Sequence, residues 1–192
     1  MLITTAHLRA IAGLSSPLMP SLADSFNKLW PAYDINTLHE YCHFLAQAAH
    51  ETDHFQTLRE YASGHVYEGR RDLGNTRAGD GVRFKGRGIF QTTGRANYLQ
   101  LGISKGRRDL FINTPALLEQ PQYAVWSACE YWKARGFNDI ANHADSDILK
   151  KKYHGNIIHV SPVEFISISI NGGYNGMDER KKFYAKALRV LR

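Results

Sequence analysis

The sequence predicts a mainly helical α+β fold, and three observations lead there. Apolar residues recur at helical spacing through much of the chain, most clearly over 38–49, 121–135 and 178–191. Capping residues and prolines mark helix starts at Thr37, Pro121 and Ser161. Glycines crowd the stretch from Gly64 to Gly94, where Val82, Phe84, Ile89, Phe90, Thr92 and Thr93 give strand-like content. No repeat, low-complexity tract or linker divides the 192 residues, so one domain over 1–192 is expected, with no separate binding module.

The elements follow in order. Leu8, Ile11 and Ala12 lie on one face of a first helix, ended by Gly13 and Ser15-Ser16-Pro17. A short second helix after Pro20 carries Leu22, Phe26, Leu29 and Trp30, with Pro31 as its stop. These first 35 residues read as a helical lead-in without site chemistry. Thr37-Leu38-His39-Glu40 is a capping box, and the helix it opens has Leu38, Tyr41, Cys42, Leu45, Ala48 and Ala49 on its apolar face. That helix delivers Glu51 at its C-terminal end. Gly79-Asp80-Gly81 is a turn signal, and an antiparallel hairpin or small sheet is expected around 82–93. The many glycines fit either tight turning or a floor where backbone approaches a ligand.

Helices resume at Thr114-Pro115 and at Pro121, where Val125, Ala128, Cys129 and Trp132 share a face and Gly136 marks the end. Lys150-Lys151-Lys152 reads as a solvated run. Ser161-Pro162-Val163-Glu164 favours helix for the FISISINGG that follows, although Ile166, Ile168 and Ile170 alternate as in a strand. An amphipathic helix from about Asp178 to Leu191 completes the chain.

The totals narrow the function classes. Hydrophobic residues at 43% and charged residues at 22% exclude a disordered or fibrous chain. The +6 charge suits a polyanionic partner or a basic solvated surface equally well. Clusters at Arg70-Arg71, Lys85/Arg87 and Arg107-Arg108 come without a nucleic-acid-binding signature, so no nucleic acid is expected. Cys42 and Cys129 are too few for a disulfide scaffold. The opening MLITTAHLRAIAGL has no basic leader, so no signal peptide is expected, nor stable membrane insertion, since no 18-residue apolar run occurs.

Two constellations bear on chemistry. His50-Glu51-Thr52-Asp53-His54 matches HExxH, which on a helix would offer both imidazoles to zinc with Glu51 as base. The third ligand is missing at the usual spacing: Thr57 and Glu60 stand where the long form needs glycine and histidine. The second is the pair Glu51 and Glu60. Two carboxyls flanking a glycosidic bond can hydrolyse it, one as proton donor and the other activating water across a gap of roughly 6.5–9.5 Å. On one straight helix nine residues rotate by about 180°, so the pair shares a cleft only if the chain turns between Asp53 and Arg59. No glycine or proline marks such a turn.

Five ordered blocks decide between these readings. AHET at 49–52, REY at 59–61, YEGRRDLGNTRAGDG at 67–81, FKGRGIFQTTGRANY at 84–98 and INGGYNG at 170–176 resemble glycoside hydrolase family 19, in particular its compact phage endolysin branch. The resemblance implies a bilobal, lysozyme-like helical fold with a small antiparallel sheet at the cleft. It implies inverting, cofactor-free and metal-free hydrolysis of β-1,4 bonds between N-acetylated amino sugars, in peptidoglycan or a chitin-like polysaccharide. By motif, Glu51 matches the general acid and Glu60 resembles the general base. Gln91 and Thr93 match positions that hold substrate and water, and Asn97 and Tyr98 follow in a substrate-contacting segment. Asn171 matches a residue near the N-acetyl group, and Arg180 resembles the arginine that supports the acid. Burial at the apolar helix end would raise the pKa of Glu51, as a general acid needs.

The chain also departs from the family. His54 replaces a glycine common in plant members, which creates the zinc-like motif. Asn175 stands where plant chitinases place a glutamate after NGG. The stretch from Asp145 to Asn171 is longer than in compact relatives and reads as an added loop near the cleft. A peptidoglycan-cutting endolysin is the resulting expectation, acting as a monomer. It would be made in the host cytoplasm and reach the wall through a holin-type pore.

Overall fold

Helix dominates the computed structural model, which describes residues 1–192. Thr4 caps helix α1, Thr5–Ala12, and Gly13 ends it at φ 81°. Helix α2, Met19–Leu29, runs on into a 3-10 turn over Trp30–Tyr33. Pro31 does not stop the chain's winding; it sits in the first turn, where a missing N–H costs nothing.

Helix α3, Leu38–Glu51, begins with the expected reciprocal box. The Glu40 amide donates to Thr37 Oγ1 at 3.2 Å, and the Thr37 amide donates to Glu40 Oε2 at 2.8 Å. Tyr41 through Ala49 are all buried, so α3 is covered on nearly every side rather than on one face. The main core gathers around it, with Leu8 and Ile11 of α1, Phe26 of α2, and Trp30.

The glycine-rich centre departs from expectation. No strand ladder forms over 82–93. Arg87 makes isolated antiparallel bridges with Arg59 and Thr92, and Asp80–Arg83 is a short helix, α4, with Gly79 at its start. Side chains tie this segment to itself where a ladder was expected. Asp80 is buried, accepts from the Thr76 and Arg77 amides, and takes a two-pronged contact from Arg95 at 2.5 and 2.9 Å. Glu68 accepts from the Gly79 and Gly81 amides. Helices α5, Arg95–Ser104, and α6, Leu110–Asn113, follow, with a 3-10 stretch over Pro115–Glu119. A second, smaller core of Phe84, Tyr98, Phe111, Leu118 and Trp126 lies under this region.

Helix α7, Pro121–Ala134, joins the two cores: Val125, Ala128, Cys129 and Trp132 face the first, and Trp126 faces the second. Cys42 and Cys129 are both free and buried, and burial pushes the Cys42 thiol up to about 12. Helix α8, Phe137–Ala141, is short.

The two-stranded sheet of the fold lies in the stretch expected to be an added loop. Strands β1, Leu149–Tyr153, and β2, Asn156–Val160, pair antiparallel from Leu149↔Val160 to Tyr153↔Asn156. The turn, His154-Gly155, has φ of 47° and 84°, the double positive φ that matches strand twist in two-residue hairpins. A histidine in place of the usual asparagine hid this signal. Helix α9, Pro162–Asn171, starts with the Ser161–Glu164 box and confirms helix for the ambiguous isoleucines. Helix α10, Met177–Leu191, packs lengthwise along α3.

Candidate active site

Glu51 ends α3 and stands opposite the first turns of α10. Arg180, itself buried, holds Glu51 Oε1 with one guanidinium nitrogen and Gln47 Oε1 with another. Gln47 lies one helical turn before Glu51 and donates to Ser167 Oγ of α9 at 2.9 Å. Three helices are thereby tied to one carboxylate. Glu51 is mostly buried, its side chain 16% exposed, and its partner is a cation. Arg180 sits where the motif placed it, beside Glu51.

The turn required after Glu51 is present and built without glycine. Asp53, His54 and Phe55 have φ of 48°, 59° and 64°. Left-handed backbone costs such residues roughly 1–2 kcal/mol each, so specific contacts must hold it. The His54 amide returns to Ala49 O at 2.7 Å, and Thr52 Oγ1 accepts from the Phe55 amide at 3.0 Å. From the lead-in, Ser16 Oγ donates to Phe55 O at 2.6 Å, and Ala12 O bonds to His54 Nδ1 at 2.8 Å. The residues without apparent site chemistry thus secure the turn that separates the two glutamates.

Glu60 lies beyond that turn, on the wall formed by the glycine-rich segment. Its amide donates to Gly86 O at 3.0 Å. Tyr67 OH donates to Glu60 Oε2 at 2.9 Å, while Oε1 is buried with no donor from the protein. An uncompensated buried acceptor costs about 1–3 kcal/mol and calls for a functional reason. A Cβ on Gly86 would lie 2.7 Å from Gln91 Oε1 and 3.4 Å from the Glu60 carboxylate, so the glycine lets these side chains meet over bare backbone. At Gly86 the missing side chain makes room for two protein side chains.

Gln91, Thr93 and Asn97 line one side of a cleft of about 460 Å³, with Tyr131 and Arg135 on the other. Gln91 holds φ 49° and donates to Gly88 O at 2.9 Å. Thr93 Oγ1 donates to Gln91 O and Asn97 Nδ2 to Thr93 O, a short chain that fixes the wall. The pKa of Tyr131 is raised by burial first; Arg135 opposes that shift and the Glu51 carboxylate adds to it. Tyr131 therefore lies within electrostatic reach of Glu51, just as Gln91 lies beside Glu60. Asn171 ends α9 exposed, next to Ile170 of the cleft lining.

One expected site residue is corrected. Tyr98 is fully buried and contacts no open space; it accepts from Arg87 Nη1 at 3.0 Å and donates to Lys85 O at 2.6 Å. Its hydroxyl supports the wall from behind. Arg87, which also bonds Glu119 at 2.7 Å, is structural. Sequence reasoning missed Gln47, Tyr67 and Tyr131. The i to i+4 spacing of Gln47 and Glu51 on a capped helix was a usable signal for the first; Tyr131 carried none.

The zinc reading loses its geometry. Helix α3 ends at Glu51, and His54 has left-handed backbone, so the two imidazoles do not share a helical face. Glu179 Oε2 binds His50 Nδ1 at 2.5 Å, and Ala12 O occupies His54 Nδ1. The imidazole of His50 also packs directly on the backbone of Gly176, where a Cβ would lie 2.1 Å from the ring.

No protein-family model matches the chain. A Haemophilus influenzae protein described as a glycosyl hydrolase family 19 domain-containing protein is 28% identical over 178 aligned positions, covering 77% of each chain. A class IV family 19 chitinase from Zea mays shares the fold at TM-score 0.67 and 19% identity, over 100% of this chain and 93% of that one. Chitinase C from Streptomyces griseus matches at TM-score 0.65 and 17% identity, over 99% and 76%. A bacterial family 19 chitinase matches at TM-score 0.64 and 15% identity, over 100% and 95%. The motif blocks, the sequence relative and the shared fold agree in likening the chain to glycoside hydrolase family 19.

Proposed function

We propose that the protein is an endolysin of the lysozyme-like type, cutting β-1,4 bonds of peptidoglycan with inversion at the anomeric carbon. The observation that carries the reading is the turn at Asp53, His54 and Phe55, which leaves Glu51 and Glu60 on different supports, the first within electrostatic reach of Tyr131 and the second near Gln91, two residues of the cleft lining. Glu51, with Oε1 held by Arg180, donates a proton to the leaving oxygen from its other oxygen. Arg180 stabilises the carboxylate that this transfer leaves behind. Glu60, oriented by Tyr67, takes a proton from the attacking water, which Gln91 and Thr93 orient without titrating. Asn97 and Asn171 supply amide contacts to the sugar, and no metal takes part in a step.

The host compartment and a holin-type exit pore belong to the same proposal, as does action as a monomer on the wall. A second reading, a chitinase on N-acetylglucosamine polymers, draws support from the chitinases that share the fold. Mass analysis of fragments released from purified cell wall and from chitin separates the two. Muropeptides with new reducing ends are expected, unaffected by EDTA. Near-full lysis by a folded Glu51→Gln or Glu60→Gln variant would sink the assignment of roles.

A further inference from the structure

One cation that lines the cleft and a second close to it have no part in the hydrolytic reaction. Arg135 follows α7 and lines the cleft, with its guanidinium carbon 3.4 Å from the ring centroid of Tyr131. Lys151 of β1 reaches Ser169 Oγ at 2.6 Å and covers the ring of Phe165 at 4.1 Å. Tyr131 OH donates to the backbone oxygen of the same Ser169 at 2.9 Å, so Lys151 and the tyrosine that Arg135 stacks on meet at one residue of α9. Burial, and then the charge of Arg135, push the Lys151 ammonium below its ordinary range, which places the two within electrostatic reach. Neither makes a salt bridge with any carboxylate. Glu130, the acid among the lining residues, is engaged by Tyr33 OH at 2.5 Å.

Two like charges held together without an anion are costly, and the cost falls when an anion arrives. We infer that Arg135 and Lys151 form a carboxylate-binding subsite that takes the acidic peptide substituent of peptidoglycan and favours it over uncharged N-acetylglucosamine polymers. The guanidinium can grip a carboxylate with two parallel bonds, and the ammonium adds a third donor. The subsite lies beside Tyr131, which feels both Arg135 and Glu51, so a side group of a bound sugar would be read close to the bond being cut. The hairpin β1–β2, which supplies Lys151, then has a role: it brings a cation to a cleft built otherwise from helices.

The inference rests on the peptidoglycan reading, and its test keeps the two apart. Wild type, Arg135→Gln and Lys151→Met are assayed on purified cell wall and on the same wall with its carboxylates amidated. The wild type is expected to favour the native wall by about tenfold in kcat/KM, the size of one charge-assisted contact. Both variants should bring that ratio close to one while keeping the melting temperature. Equal wild-type rates on the two walls, or a ratio preserved in both variants, overturns the subsite. If the wild type cuts chitin oligomers but no wall, a soluble disaccharide-peptide with free carboxylates is added as competitor. Competition weakened by Arg135→Gln then upholds the subsite while the wall reading falls; no competition removes both.

Discussion

Two walls near the cleft, one helical and one of irregular chain, hold the same kind of side chain by different means. Glu51 is carried on a helix buried around most of its circumference, and its partner, Arg180 of α10, is also held by Gln47 of α3. Glu60 is carried on irregular chain with little regular structure. Its wall is held by side chains bonding backbone: Asp80 to two amides, Glu68 to two, Lys85 to two carbonyls. The first wall is rigid because apolar area is removed from water. The second is held because side chains give its backbone groups specific partners. Substitutions should therefore cost stability on the first wall and catalysis on the second.

Arg180→Met tests the helical wall most severely. It leaves Glu51 and Gln47 without their shared cation, and loss of one partner from a buried pair costs about 3–5 kcal/mol. Denaturant unfolding should show that loss, together with loss of hydrolysis.

A change of pH separates the walls next. His43 of α3 is fully buried, with neither ring nitrogen hydrogen-bonded and the ring stacked on Tyr184. Burial, helped by the charge of His39, lowers its pKa from 6.5 to about 3. The imidazole is neutral in the fold, while the unfolded chain takes up a proton below 6.5. Stability is then full above that pH and falls as the pH drops toward 3, by about 1.36 kcal/mol per unit. Between pH 7 and 5 the wild type should lose about 2 kcal/mol that His43→Leu does not lose, measured by urea unfolding. On the other wall, the Arg95 guanidinium holds Asp80 below its ordinary 3.8. That contribution persists above 3.8 and disappears only as the pH falls further, so acid should loosen the helical wall first.

Gly86→Ala sharpens the comparison on the loop wall. The added methyl meets the far end of Gln91, which can move, so the stability loss should stay below about 1 kcal/mol. Displacing Gln91 from Glu60 should nonetheless lower kcat by about tenfold or more, since small misplacements are costly to oriented reactants. Equal losses in stability and rate would break the contrast. Lys85→Met is the mildest change. Its ammonium donates to the Glu60 and Ala62 carbonyls from a partly exposed position, and a loss of about 1 kcal/mol in unfolding free energy is expected.

The helical wall was also the legible one. Thr37 with Glu40, and Ser161 with Glu164, announced helix starts that formed as written, because capping is decided within four residues. Arg180 beside Glu51 came from motif blocks. The loop wall was read less well. Val82 to Thr93 has strand-like content, yet the buried Asp80–Arg95 pair and the Arg87 contacts provide partners that a ladder would otherwise supply. Tyr98, next to Asn97 in a segment marked for substrate, faces inward because its helix turns that side to Phe84 at 5.2 Å. The hairpin at 149–160 was taken for an added loop because His154 occupies a left-handed turn position that sequence assigns to asparagine or glycine.

Local patterns by themselves settled where α3 begins and that Glu51 stands near its end, and the motif blocks pointed to a sugar-cutting family. How the chain turns between Glu51 and Glu60 was left to the assembled molecule. The decisive turn at Asp53, His54 and Phe55 uses conformations that those residues resist, and none of the three advertises it. It is held by Ser16 and by the carbonyl of Ala12, about 40 residues earlier in the chain. A conformation that is locally unfavourable and rescued from a distance is invisible to any reading of neighbours; it exists only once the distant partners have packed.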